Sequence, residues 1–564
     1  MRKTTAFILA VLTVLSFASC ASGTPAPETE TTAPTAETPE SFAEMEYTSV
    51  KKVGPGNSLL YINDLELNGC ADPSVIAVEE DGRTCFYLYC TGIKGYYSYD
   101  LSAWIPISSC FPKPSSSWSK ADYWAPEVIY DEEEKLYRMF YSASSAEGYF
   151  YISMAVSESP KGPFRQWTGT NADGLNVTET TPIYDFSRMD PSHPLYEGVI
   201  RAIDVHPFVD PESGDKYLYW VRGWNAGGTV RHDTSEIWAV RMKDWATPDY
   251  SSVTRLTEVG RVTVGGEKTK HTEQSINEGP NVQYRDGTYY LTFSVNPASY
   301  KGYSVWQAVS DSPLGTFTKL EREEGGLVLG VDSGWDHMSG TGHHTFCMIG
   351  DEMYIFYHAH TQREYTTMGD RALAFDRVIW KENRNGQTVL YTNGPTWSPQ
   401  PLPELLSGCR NAAPEAKVSV DSGLDLSCLT DGAVNMHKRG GAEEVSVSAD
   451  EVITLRWDSF IPVRALLIYN SLEPSTAFSA AERIEFVCRT ADGGEEVRVI
   501  ENAAFDTERY TGGAVGLEYI RPGSALVLRL GEVTEVREIR IRLAPAAGKT
   551  ASSLSEITVL ADAD

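Results

Sequence analysis

Three carboxylates, Asp72, Asp204 and Glu278, each stand at the entrance to a short strand, followed by a turn and a second strand rich in aromatic and β-branched residues. A lone Asp or Glu beside a turn is ordinarily a solvated surface residue. Three at corresponding points of a repeated plan are different, because carboxylates gathered at one cavity repel and are costly to keep there. Two carboxyl groups flanking a sugar can cleave a glycosidic bond, one protonating the leaving oxygen and the other activating water. A third beside the acid can hold it protonated by like-charge repulsion. A purely binding protein has no use for such a set.

The elements that must bring them together are hairpins. Residues 276–295 run from Asn277-Glu278-Gly279-Pro280 through a strand, a tight turn at Asp286-Gly287 and the strand Tyr289-Tyr290-Leu291-Thr292-Phe293. Four other places copy the plan: Ala71-Asp72-Pro73-Ser74-Val75, Trp124-Ala125-Pro126-Glu127-Val128, Ile203-Asp204-Val205-His206-Pro207-Phe208 and Gly342-His343-His344-Thr345-Phe346. The copies recur roughly every 50 to 80 residues, the period of a small antiparallel sheet, and predict an all-β chain built on a five-bladed β-propeller. A second echo, Ala155-Val156-Ser157-Glu158-Ser159-Pro160 against Ala308-Val309-Ser310-Asp311-Ser312-Pro313, follows two of the hairpins at similar distance. In a radial repeat, residues opening the innermost strands converge on the axis, so Asp72, Asp204 and Glu278 are expected to meet there.

At 564 residues the chain is too long for one core. A hydrophobic content of 41% marks it as mostly globular, and a formal charge of −29 argues against nucleic acid or an anionic membrane surface as partner. Residues 1–19 carry Arg2 and Lys3 ahead of an apolar run and read as an export signal. Residues 21–46 are rich in Thr, Pro and Glu and read as a disordered tether. The propeller is expected over 47–405 and a separate β-sandwich of short alternating strands over 410–564. Eight cysteines follow Cys20, none at metal-ligand spacing; Cys70, Cys85, Cys90 and Cys110 are either bridged or buried thiols, and Cys85 and Cys90 should face opposite ways.

Together the five entrance motifs, with Gly340-Thr341-Gly342-His343-His344 as the last, resemble the family 43 glycoside hydrolases, the five-bladed arabinofuranosidases, arabinanases and β-xylosidases. The resemblance spans about 47–405. It implies an inverting O-glycosidase acting on α-L-arabinofuranosyl or β-D-xylosyl groups of plant-type polysaccharide, with Asp72 as general base, Glu278 as general acid, and Asp204 orienting the acid and raising its pKa. Val205-His206-Pro207 departs from the family, where many members have Pro or Ser directly after that Asp. The resemblance also suggests calcium at His343, with waters completing the shell. Trp124 is either a sugar platform or a ring packed between blades. Glu127, two residues past the position matching Asp72, is a rival carboxylate or a blade-bridging group. Phe17-Ala18-Ser19-Cys20 resembles a bacterial lipoprotein box with Phe17 where Leu is usual, so a membrane link, if any, is a lipid anchor at Cys20; the alternative is plain cleavage and secretion. The C-terminal segment is similar to galactose-binding-like (discoidin-type) sandwiches through Leu429-Thr430-Asp431-Gly432 and Ser555-Glu556-Ile557, and either binds carbohydrate or acts as a spacer. The rival reading of the whole is a surface glycan-binding propeller without catalysis.

Overall fold

The computed structural model describes residues 42–563, apart from 55–56, 114, 187–199, 225–234, 260, 265–266, 271–275, 331–337, 362–369, 438–440, 507–508, 513–516 and 522. The export signal, Cys20 and most of the tether lie outside the described residues.

Five sheets form the propeller, each opening on an inner strand: Ser74–Glu80, Ala121–Asp131, Ile200–Val209, Asn277–Arg285 and Ser339–Ile349, for blades 1 to 5. In blades 1 and 4 the inner hairpin turns at Asp81-Gly82 and Asp286-Gly287. All four residues have positive φ, as a two-residue turn matching the twist of its strands requires. The second strands are apolar on both faces because each blade is sandwiched by two others. In Arg83–Cys90, Tyr87 and Tyr89 pack with blade 2, while Phe86 and Leu88 pack with blade 5, the period-two alternation of a strand. Cys85 and Cys90 likewise fall in different clusters, facing opposite ways as expected. Similar clusters join blades 2 and 3, 3 and 4, and 4 and 5. The ring closes where Leu60–Tyr61 pairs with Gln400–Pro401 and Asn68 bridges Ala372 of blade 5.

The C-terminal strands join one ten-stranded sheet around their own apolar core, consistent with a β-sandwich. Two corrections to the sequence reading arise here. Val452–Asn470 and Ala525–Pro545 are single long strands where short alternating ones were expected, since register shifts near Arg456/Ile461 and Val463/Ala465 let a strand bend without losing its ladder. The propeller also does not begin at residue 47: Ala43–Glu44 and Tyr47–Ser49 pair with C-terminal strands, anchored by Met45, which is buried in that core.

Residues 43–564 form one compact unit. Val378, Leu390 and Trp397 of the propeller share a core with Ala465, Leu467, Tyr469, Val527 and Leu560 of the C-terminal sheet. Tyr391 donates to the Val434 carbonyl at 2.7 Å and Gln400 to the Gly523 carbonyl at 2.7 Å. Each large side chain uncovered there forfeits about 1.5–3 kcal/mol of burial. A chain ending near residue 405 is therefore expected to lose several kcal/mol and to melt lower or aggregate; an unchanged Tm for that truncation would contradict the shared core.

Candidate active site

The five blades enter the axis in the same strained way. Asp72, Ala125, Asp204, Gly279 and His343 have φ of 55°, 44°, 54°, 54° and 47°, and only one of them is glycine. A non-glycine residue held there costs of order 1–3 kcal/mol, so the neighbouring structure must enforce it. It does so by capturing each backbone N–H from the preceding blade. Asp72 N–H donates to His358 Nδ1 (3.2 Å), Ala125 to Thr91 Oγ1 (3.0 Å), Asp204 to Ser142 Oγ (3.0 Å), Gly279 to Asp204 Oδ2 (3.3 Å) and His343 to Ser294 Oγ (2.8 Å).

Two residues on, a second ring ties the blades together. Ser74 Oγ accepts from Val128 N–H, His206 Nε2 from Val282 N–H, and Thr345 Oγ1 from Val75 N–H. Because Nε2 of His206 is an acceptor, its proton sits on Nδ1 and points at Glu127 Oε1, 2.6 Å away. Glu127 therefore bridges blades 2 and 3.

This repeat also corrects the alignment of the acid. Glu278 occupies the position before the strained residue, equivalent to Ala71, Trp124, Ile203 and Gly342, whereas Asp72 and Asp204 occupy the strained position itself. The three carboxylates interact nonetheless, and their environments drive them apart. Burial favours the neutral form of Asp72, but Arg371, His343 and His358 outweigh it and hold the carboxyl well below the usual range. Arg371 Nη1 lies 2.9 Å from Asp72 Oδ1 and His343 Nδ1 3.2 Å from it, while Thr91 Oγ1 donates to Oδ2. Burial, followed by the charge of Asp204, pushes Glu278 up to about 7; Tyr303 donates to its Oε1 at 2.8 Å. Asp204 is itself raised, by burial and by Asp72, against the pull of His343. His343 is buried, which opposes its charge, yet the three carboxylates raise its pKa and favour imidazolium.

Sequence reasoning missed Arg371, Thr91, Tyr303 and His358. The Tyr303 ring stacks on His358 at 5.6 Å and 10°, so one packed pair touches both Glu278 and the Asp72 backbone. Trp124 is half-buried against Phe150, ring centroids 4.6 Å apart, with the Arg201 guanidinium 5.2 Å from its ring.

For calcium, the relevant feature is an axial cavity lined by Asp72, Glu127, Asp204, His343 and His344. His344 Nδ1 is buried without a hydrogen-bond partner. Carboxylate oxygens with an imidazole fit a hydrated calcium ion. No three His, Cys, Asp or Glu side chains among the described residues close in as a direct ligand set, so water would supply most of the shell.

A five-bladed propeller with one carboxyl pushed up and another held down at its axis has the parts for acid–base chemistry. Residues 67–385 match the family model for glycosyl hydrolases family 43, and the chain belongs to that family. It is 24% identical over 304 residues to the β-D-galactofuranosidase xynD of Aspergillus niger, covering 52% of this chain and 72% of that one. It is 25% identical to an arabinoxylan arabinofuranohydrolase of Paenibacillus polymyxa, covering 51% of this chain and 42% of the relative. A thermostable family-43 glycoside hydrolase of known structure is 26% identical, with a TM-score of 0.47, covering 61% of this chain and 99% of that one.

Proposed function

We propose that the protein removes α-L-arabinofuranosyl or β-D-xylosyl groups from plant-type polysaccharides or oligosaccharides with inversion at the anomeric carbon. The observation that carries this is the opposed protonation of Asp72 and Glu278 at one axis. Ionised Asp72 takes a proton from water as the water attacks the anomeric carbon; protonated Glu278 gives its proton to the departing oxygen. Asp204 is the positioning residue: its charge keeps Glu278 protonated, and its Oδ2 holds the Gly279 N–H next to it. The names of the relatives support a pentose or furanose substrate. Hydrolysis of aryl arabinofuranosides, xylosides and galactofuranosides, with proton NMR of the first-formed sugar, tests the reading. Retention of configuration rejects Asp72 as base, and no turnover of any member leaves the glycan-binding reading in its place.

A hydrated calcium ion at the axis would face His343 through water, and its charge would disfavour the imidazolium and favour the ionised form of the neighbouring carboxylates. Chelation, or His343→Ala, is expected to lower activity or Tm with the fold retained; elemental analysis finding no cation at working calcium concentrations removes the idea. For Cys20 we propose lipidation, which would tether the protein at the cell surface. Cys20→Ser should then release it from membranes into the medium, and equal membrane association of both forms argues against an anchor.

A further inference from the structure

Arg201 lies three residues before Asp204 on the inner strand of blade 3. Its guanidinium carbon is 4.8 Å from the Phe150 ring centroid and 5.2 Å from that of Trp124. Among the described residues it has no ion pair, and its Nε is buried without a hydrogen-bond partner. The contrast with Arg371 is direct, since that guanidinium is committed to Asp72 at 2.9 Å. Asp204 is close enough to feel the charge of Arg201, yet no ion pair forms, and Asp204 Oδ2 is engaged by the Gly279 N–H.

A half-buried guanidinium held beside two rings that pack on each other, with Nε buried, keeps its outer Nη edge unspent. That edge forms a planar fork that matches the two oxygens of a carboxylate. Arg201 and Trp124 flank the axial cavity without lining it: Trp124 immediately precedes Ala125 of its wall, and Arg201 is near enough to Asp204 of the same wall to act on its charge. Asp72, Asp204 and Glu278 repel an anion there, whereas Arg201 offers it a place. The net charge of −29 opposes a densely charged polyanion, which leaves a single acidic sugar on an otherwise neutral glycan. We propose that Arg201 forms an anion-recognising subsite for the carboxylate of a uronic-acid residue carried next to the sugar that is cleaved. This rests on the glycosidase reading of the same site.

The test compares xylo-oligosaccharides bearing one glucuronic-acid branch with the same compounds as methyl esters, which remove the charge of that branch and add one methyl group. Wild-type enzyme is expected to favour the acid over the ester by at least roughly tenfold in kcat/KM, the scale of one charge-assisted hydrogen-bonded pair. Arg201→Met should bring that ratio to about 1, and Arg201→Lys, which keeps the charge without the fork, should leave an intermediate ratio. A wild-type ratio near 1, or an undiminished ratio in Arg201→Met, overturns the proposal. If neither compound is cleaved, the aryl glycoside panel decides the glycosidase reading, and calorimetric titration with the acid and the ester decides the subsite alone: preferential binding of the acid that Arg201→Met removes supports it, and equal binding rejects it.

Discussion

Asp72→Asn is expected to reduce hydrolysis by about 10²–10⁴-fold or more on every glycoside, good and poor leaving groups alike, because no group then takes the proton from water. The substitution keeps shape and an acceptor for Thr91, so it isolates the charge. Arg371 and His343 would be left facing a neutral amide, and His343 would lose one of the three carboxylates that favour its protonation. A variant that still folds, with a lower Tm because buried Arg371 loses its charged partner, and with no turnover, is the expected outcome. Turnover of activated aryl glycosides within about tenfold of wild type would remove Asp72 from the base role, since general-base catalysis is worth more than that.

The fold was legible because blade repeats write the same physical demands five times: a strained entrance, a turn, and a second strand buried on both faces. Asp286-Gly287 announced its turn by residue type, and Cys85-Phe86-Tyr87-Leu88-Tyr89 announced double burial by having no polar face. The carboxylates were legible for the same reason, since Asp72 and Asp204 share a repeat position. Their one-residue offset from Glu278 was not, because it shows only when the positive-φ residue of each blade is known. Arg371 opens the third strand of a blade and Tyr303 immediately precedes another, at points with no motif; closure of the ring sets Arg371 of blade 5 against Asp72 of blade 1, and the pairing of strands within blade 4 sets Tyr303 against Glu278. The long strands of the C-terminal sheet were divided in the sequence reading because Asp458 and Ser459 mimic a loop, whereas the register shift keeps them within the strand. Met45 lay in a stretch whose composition is that of a tether, and a single apolar residue carries no periodicity to contradict it.

Glu278→Gln should separate substrates by leaving group. For natural oligosaccharides, whose alkoxide cannot depart unprotonated, a loss of about 10²–10⁴-fold is expected; for dinitrophenyl glycosides, whose phenolate departs unaided, the loss should stay below about tenfold. The pH profile carries the same information with a definite sign. Wild-type activity requires Glu278 protonated, so it should fall as pH rises through about 7, while the requirement for ionised Asp72 places the acid limb below the usual carboxylate range. In Glu278→Gln the limb near 7 should vanish and the acid limb remain. In Asp204→Asn, removing the charge that follows burial as the largest cause of the shift should move the basic limb to lower pH, with a slower maximum rate. Tyr303 opposes the shift by donating to the ionised acid, so Tyr303→Phe should move the same limb upward. Opposite displacements of one limb by two neighbours of one carboxyl are hard to obtain from general loosening of the pocket. A basic limb that stays near 7 in Glu278→Gln would assign the proton to another group and leave Glu278 without the acid's role.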